Sequence, residues 1–399
     1  MYSKTSEHGR VIIIFWVDDI IVAASNDQLL NLVKTYLSSK FEMKDLGKLR
    51  WFLGIEFSKH DGCITMSQKK YCEKILSKFG MENCKPRKSP CDEGLDKEPD
   101  DSQVLDDPRL YREIVGSLIY AMTATRPDIS YVVTKLSQNM SKPTTQNLIV
   151  AKGVLRYLRG TLEYTLVFRK SIDPVQLEGF CDSDRASSYS DRKSISAYVF
   201  KLSEHSALIS WKTKKQNIVA LSSCEAKYIS LSMCVQEAMF LRKLISLVYD
   251  EKDVEMCVKI GVDNQGTIAL AKNPINQQRS KHIDVRYHFL RASGIVFLRY
   301  VPSNENVADV LTKPVSGCQN CCATKILLLP PGKLRFSEGI VFSCVCCCFC
   351  FFVSVTPQFF TRNIQDSSTK LSGIICRPPE QIKFDYHDSN SLPVALRMG

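Results

Sequence analysis

The amino-acid sequence predicts an α/β protein, and three features carry that reading. From Gln176 onward, three strand-like stretches precede a long amphipathic helix, a further strand and another helix, an order that suits a mixed sheet. Near the N-terminus, two apolar runs flank Asp18-Asp19 like the arms of a hairpin. Between these regions lies a helical stretch punctuated by Pro127 and Pro143. The chain has 399 residues, room for two or three domains. Its 44% hydrophobic and 24% charged residues are those of a soluble globular protein. A net charge of +11 is a mild basic bias that permits a polyanionic partner such as nucleic acid without requiring one.

Val11 to Val17 reads as a buried strand and Ile20 to Ala24 as its partner, with the two aspartates at the turn. Asp27 to Phe41 is a helix by pattern. Leu49 to Phe57 and Cys63 to Met66 read as paired strands, and Gln68 to Phe79 as a helix. Residues 86–108 contain Pro86, Pro90, Pro99 and Pro108 among acids and lysines, the composition of a linker. Helices fit 110–123, 128–138 and 145–159. Gln176 to Cys181, Ser196 to Leu202 and Leu208 to Trp211 are the three strands. The long helix is expected over Asn217 to Val248, its stripe running Leu221, Cys224, Tyr228, Leu231, Val235 and Ala238. Met256 to Val262 is a strand, with a helix opening at Asn264. Ile295 to Val301 is the last strand, with a short helix after Pro302.

Beyond Pro314 no period is sustained. Ile340 to Val355 is a run of sixteen apolar or small residues, short of the roughly 20 a bilayer-spanning helix needs, so a membrane anchor is the lesser reading of a disordered or aggregation-prone tail. Seventeen cysteines are unevenly placed: eight over residues 1–316 and nine in the last 83. Cys318, Cys321 and Cys322 lack the second pair that a zinc site uses. No signal peptide is visible in Met1 to Arg10, so the thiols read as reduced and the protein as cytosolic or nuclear.

Two sets of acids invite chemistry. Asp18 and Asp19 crowd two carboxylates at one turn, where they are either solvated or relieved by a divalent cation. Asp182 and Asp263 end two strands. If those strands are neighbours and parallel, both carboxylates emerge at one sheet edge, where open α/β sheets bind ligands. Glu225 borders the stripe of the long helix and can point at that edge, and Asp309 opens the last short helix. Each acid alone is equally a turn former or helix cap. Four converging carboxylates call for metal ions between them, and two divalent ions are the recurring solution for phosphodiester hydrolysis.

Several stretches resemble the Pol polyproteins of copia-type retrotransposons. Phe15-Trp-Val-Asp-Asp-Ile-Ile-Val-Ala-Ala24 is similar to the Tyr-x-Asp-Asp hairpin of reverse transcriptases, with Trp16 in place of Tyr. Phe41-Glu-Met-Lys-Asp-Leu-Gly-Lys-Leu-Arg-Trp-Phe-Leu-Gly-Ile-Glu56, Met66-Ser-Gln-Lys-Lys-Tyr71, Tyr111-Arg-Glu-Ile-Val-Gly-Ser-Leu-Ile-Tyr120 and Thr125-Arg-Pro-Asp-Ile129 extend the likeness. Downstream, Ser194 to Phe200, Ile209 to Gln216, Ala220-Leu-Ser-Ser-Cys-Glu-Ala226, Val262-Asp-Asn-Gln265, Ser280 to Phe289 and Ala308-Asp-Val-Leu-Thr-Lys-Pro314 resemble the ribonuclease H domain of the same elements, in the same order. The likeness runs from about Val11 to Pro314. Arg185 stands where the family usually has Trp, and Lys227 where a second Glu is common, so activity is less secure than fold.

The resemblance implies a truncated reverse transcriptase palm and thumb over 1–95, a linker and helical connection over 96–172, a ribonuclease H-like mixed sheet with flanking helices over 173–316, and an unrelated tail over 317–399. It implies that Asp182, Glu225, Asp263 and Asp309 bind two Mg²⁺, with Mn²⁺ as a substitute, and that Asp18 and Asp19 belong to a polymerase site lacking a third, upstream aspartate. Lys212, Lys214, Lys215, Asn264, Gln265, Lys281, His282 and Arg286 become contacts to nucleic acid. The expected function is metal-dependent hydrolysis of the RNA strand of RNA–DNA hybrids, without polymerase activity by this chain alone. The alternative is an idle nucleic-acid-binding remnant. An upstream polymerase fragment is a further expected partner.

Overall fold

Backbone contacts divide the chain into two units, Met1–Arg50 with Val341–Gly399, and Trp51–Ile340. The computed structural model describes residues 1–60, 63–92, 103–169, 175–188, 190–203, 206–249, 254–272, 296–314, 328–329 and 394–398.

In the first unit, β1 (Tyr2–Ser6), β2 (Gly9–Trp16) and β3 (Asp19–Ala24) form an antiparallel meander. The polar residues before Arg10 showed no strand signal. They pair because β2 offers them an edge. Trp16 lies opposite Asp19, which leaves Val17 and Asp18 as a two-residue turn. Helix α1 (Asp27–Lys40) is capped by Asn26, whose side-chain oxygen accepts from Leu29 N at 2.8 Å. It covers one face of the sheet through Leu30 and Leu37, which pack with Ile13, Ile20 and Val22. Strand β4 (Met43–Lys48) follows. Between β3 and β4 lies the C-terminal strand Val394–Met398, antiparallel to both. The tail, read as lacking regular structure, therefore contributes a strand. The apolar run 340–355 and the cysteines from 318 onward lie outside the described residues.

The second unit opens with β5 (Trp51–Phe52), β6 (Ile55–His60) and β7 (Cys63–Ser67), then α2 (Lys69–Lys78). Helices α3 (Arg109–Ala124), α4 (Ser130–Ser137) and α5 (Thr145–Gly160) match the expected helical stretch. They share a core of Tyr111, Val115, Leu118, Val133, Val154 and Leu158. Buried Arg126 grips Asp128 with two nitrogens and reaches Thr161, while the Tyr157 hydroxyl donates to Asp128 at 2.8 Å. That network satisfies each buried charge, as burial demands. Strand β8 (Thr165–Arg169) returns to pair with β7, and Leu328–Leu329 pairs with β8 in turn.

The remaining elements are β9 (Val175–Asp184), β10 (Ile195–Lys201), β11 (Leu208–Lys215), α6 (Ser223–Val248), β12 (Val254–Val262), α7 (Gln265–Lys272), β13 (Val296–Tyr300) and a 3-10 turn, Val307–Leu311. The sheet order is β11-β10-β9-β12-β13: the first three strands antiparallel, β9, β12 and β13 parallel. This is the ribonuclease H-like mixed sheet, and α6 packs across β9 and β10. The sheet is tight at β12: a Cβ on Gly261 would come within 2.8 Å of both Phe180 and Val301.

Helix α6 begins six residues later than its apolar pattern suggests. Ser222 is the cap, accepting from Glu225 N at 3.1 Å, and the loop before it leaves Leu221 exposed rather than in the stripe. Among the described residues no helix is long and apolar enough to cross a membrane.

Candidate active site

Strands β9 and β12 are adjacent and parallel, with Val262 opposite Cys181. Asp182 and Asp263 therefore leave the sheet side by side at the carboxyl edge of the parallel strands. The 3-10 turn holds Asp309 beside them. Asn306 caps that turn and donates to Cys181 O at 3.0 Å, and Thr312 donates to Asp182 Oδ2 at 2.5 Å. Asp182, Asp263 and Asp309 come together at this edge.

Glu225 holds the start of α6. Its Oε2 accepts from Leu221 N at 2.7 Å, closing the first turn of α6 from behind. The α6 side chain that reaches the aspartates is Lys227. Its Nζ lies 2.8 Å from Asp182 Oδ1 and 2.5 Å from Asp263 Oδ1. Helix geometry explains the exchange. At 100° per residue, Lys227 lies about 60° from the centre of the Cys224–Ala238 stripe and Glu225 about 100° away on the other side. One turn on, Ser230 donates to Asp182 O at 2.6 Å and Ala197 O at 3.1 Å, fixing this face of α6 over the end of β9. Lys227, singled out in the sequence as a departure from the family pattern, is a member of the cluster, while Thr312, Ser303 and Lys313 were missed. The phase of the helix held the signal for Lys227.

The cluster is close to charge balance. Asp182 and Asp263 are 1% and 5% exposed at the side chain, and Lys227 is 15% exposed. Burial opposes ionisation of Asp182, yet Lys227, with Thr312 and Lys313, outweighs it and holds the carboxyl below its ordinary value. Burial likewise works against the Lys227 charge, but Asp182 and Asp263 raise its pKa, so it stays an ammonium. Burial, with the charges of Asp182 and Asp263, pushes Asp309 up against the pull of Lys313. Lys313 pairs with Asp309 across one helical turn.

The family resemblance implies that these acids hold a pair of divalent ions. Asp182 Oδ1 and Asp263 Oδ1 serve Lys227, Asp182 Oδ2 serves Thr312, Asp263 Oδ2 serves Ser303 at 2.9 Å, and Asp309 Oδ1 serves Lys313. Among the described residues no three His, Cys, Asp or Glu side chains are grouped to hold a metal ion. An ammonium between two of the three aspartates does not fit a second cation in the same place.

The other expected site residues divide. Lys212 and Lys214 are exposed at alternate positions of β11, while Lys215 pairs with Asp191 at 3.0 Å. Asn264 caps α7, accepting from Thr267 N at 2.7 Å, and Gln265 is exposed in its first turn. Arg185 bonds Leu221 O at 2.9 Å, tying the loop after β9 to the approach of α6. Lys281, His282 and Arg286 lie outside the described residues. Asp18 is exposed at the β2–β3 turn and Asp19 partly so.

A sequence profile for the family described as reverse transcriptase (RNA-dependent DNA polymerase) matches residues 1–93. The retrovirus-related Pol polyprotein of transposon TNT 1-94 from Nicotiana tabacum is 34% identical over 333 residues, 79% of this chain and 24% of that protein. A transposon Ty5-1 protein of Saccharomyces cerevisiae is 32% identical over 239 residues, 59% of this chain and 77% of that protein. The chain belongs to the Pol polyproteins of copia-type retrotransposons. It spans about a quarter of the length of the TNT 1-94 polyprotein. Among solved structures, a ribonuclease H1 termed LC11, in complex with an RNA/DNA hybrid, is similar over 34% of this chain and 93% of its own, at 11% identity and a TM-score of 0.27. In this Pol fragment, then, the ribonuclease H-like sheet carries three aspartates, and a lysine lies between two of them.

Proposed function

We propose that the ribonuclease H-like part of this Pol fragment holds an RNA–DNA hybrid at its carboxylate edge without hydrolysing it. The observation that carries this reading is the Lys227 ammonium lodged between Asp182 and Asp263. Two-metal hydrolysis needs cations there that activate water and stabilise the leaving oxygen. An ammonium neutralises the same carboxylates but can do neither. The basic side chains Lys212 and Lys214 supply phosphate contacts, and Gln265 is a polar group suited to the shallow groove where a 2′-hydroxyl is felt. Lys281, His282 and Arg286 extend that set on sequence grounds.

RNA-strand hydrolysis with Mg²⁺ or Mn²⁺ is the second reading, favoured by the convergence of Asp182, Asp263 and Asp309 at one edge.

The purified chain, incubated with a labelled hybrid in Mg²⁺ or Mn²⁺, separates the readings. Binding that weakens with salt, and no cleavage, is expected of the natural sequence. Lys227→Glu is expected to cleave, and Lys227→Glu with Asp263→Asn is not. Cleavage by the natural sequence, abolished by Asp263→Asn alone, overturns the proposal in favour of the second reading.

A further inference from the structure

The first unit contains a one-strand gap. Strands β3 and β4 are joined by α1 and run parallel, yet they do not pair with each other. The C-terminal strand fills the space between them. Val394, Ala395, Leu396 and Arg397 stand opposite Val22, Ile21, Ile20 and Asp19 on one side, and Leu396, Arg397 and Met398 opposite Asp45, Lys44 and Met43 on the other. Among the described residues strand β4 has no other partner in the sheet. Its residues are mostly exposed, with Lys44, Asp45 and Lys48 among them, and could not hold a strand by burial alone.

The inserted segment suits the gap chemically. Val394 and Leu396, two residues apart, face the core formed by Ile20, Val22, Leu30 and Leu37. Leu396 is 1% exposed. The pairing satisfies backbone groups on both flanking strands, the mode in which sheet edges take up peptides. The antiparallel register also fixes direction: the pairing with β3 runs from Val394 opposite Val22 to Arg397 opposite Asp19, beside the β2–β3 turn.

We propose that the gap between β3 and β4 is a strand-acceptor site for an extended segment with apolar residues at alternate positions, occupied here by the chain's own residues 394–398.

Hydrogen exchange on the full-length chain tests the pairing directly. Slow amide exchange across Met43–Lys48 and at Leu396 is expected, and fast exchange at both overturns the proposal whatever any variant does. Full-length Leu396→Asp is expected to lose protection in Met43–Lys48. It should then bind a labelled synthetic peptide of residues 391–399 at least tenfold more tightly than the natural chain does, and recover protection. The same peptide carrying Leu396→Asp is expected not to bind. Unchanged protection in the variant, or equal binding of both peptides, also overturns the proposal.

Discussion

The two sets of acids make an instructive pair. Asp18 and Asp19 sit at a hairpin turn, the first exposed and the second partly so, where water screens their repulsion. Asp182 and Asp263 are almost fully buried, and Asp309 is 29% exposed at the side chain. Buried carboxylates cannot lean on water. They need a cation that the chain supplies or that the solvent delivers. In this chain Lys227 and Lys313 are built in beside them. Adjacent acids are not by themselves a metal site: the surroundings decide whether their charge is an opening for a cation or already answered.

The largest test removes the answer. Lys227→Met leaves Asp182 and Asp263 facing each other without the cation between them, a loss expected to cost about 3–5 kcal/mol, the range for breaking a buried pair. Denaturant unfolding in chelator should show it, and added Mn²⁺ should restore part of it. Asp18→Asn, by contrast, should move stability by no more than about 0.5 kcal/mol, as exposed substitutions do. Equal effects from the two would remove the distinction.

The same ion pair gives a pH signature. Asp182 is depressed in the folded state, so its contribution is present above the ordinary value of 3.8 and lost as pH falls through the folded pKa. Lys227 is raised, so its contribution is present below 10.5 and lost as pH rises through the folded pKa. The stability gap between the natural chain and Lys227→Met should be flat between about pH 5 and pH 9 and narrow outside. A gap that instead narrows across neutral pH would place the shifts on other groups.

Much of this was legible in the sequence. The hairpin around Asp18-Asp19, the parallel edge that joins Asp182 to Asp263, and the turn that brings Asp309 were readable because strand ends and apolar periodicity report local geometry. The choice between Glu225 and Lys227 was harder. Both border the stripe, and including Leu221, which lies outside α6, blurred its phase. The Thr312 and Ser303 contacts depend on loop conformation, which periodicity does not encode. The C-terminal strand was illegible for another reason. Five residues specify a strand only when a partner edge is waiting, and that edge lies more than three hundred residues away in the chain.

A smaller effect is expected at the exposed acid pair. Val17 adopts φ +52°, a left-handed conformation that a β-branched residue reaches at a cost of about 1–2 kcal/mol. Val17→Gly relieves that strain but gives the unfolded chain more freedom, about 0.5–1 kcal/mol in the other direction. A net stabilisation of about 0.5–1 kcal/mol is expected. A net loss would mean that the 79% exposed Val17 side chain makes contacts that the turn depends on.

The smallest effect tests whether the buried set is fully answered. Asp309 is pushed up by burial and by the charges of Asp182 and Asp263, so in the folded protein its ionised form is held at a cost. A raised folded pKa means that the group favours folding below its ordinary value of 3.8 and that this is lost as pH rises through the folded pKa. At neutral pH, Asp309→Asn therefore removes a repulsion. It also removes the pair with Lys313, a partly exposed neighbour worth about 0.3–0.5 kcal/mol. The balance is expected to favour the variant by about 0.5 kcal/mol at pH 7. Near pH 3 the natural Asp309 is itself protonated, and the advantage should disappear. Unfolding midpoints at the two pH values measure the difference. If Asp309→Asn is destabilising at pH 7, the pair with Lys313 outweighs the repulsion from Asp182 and Asp263.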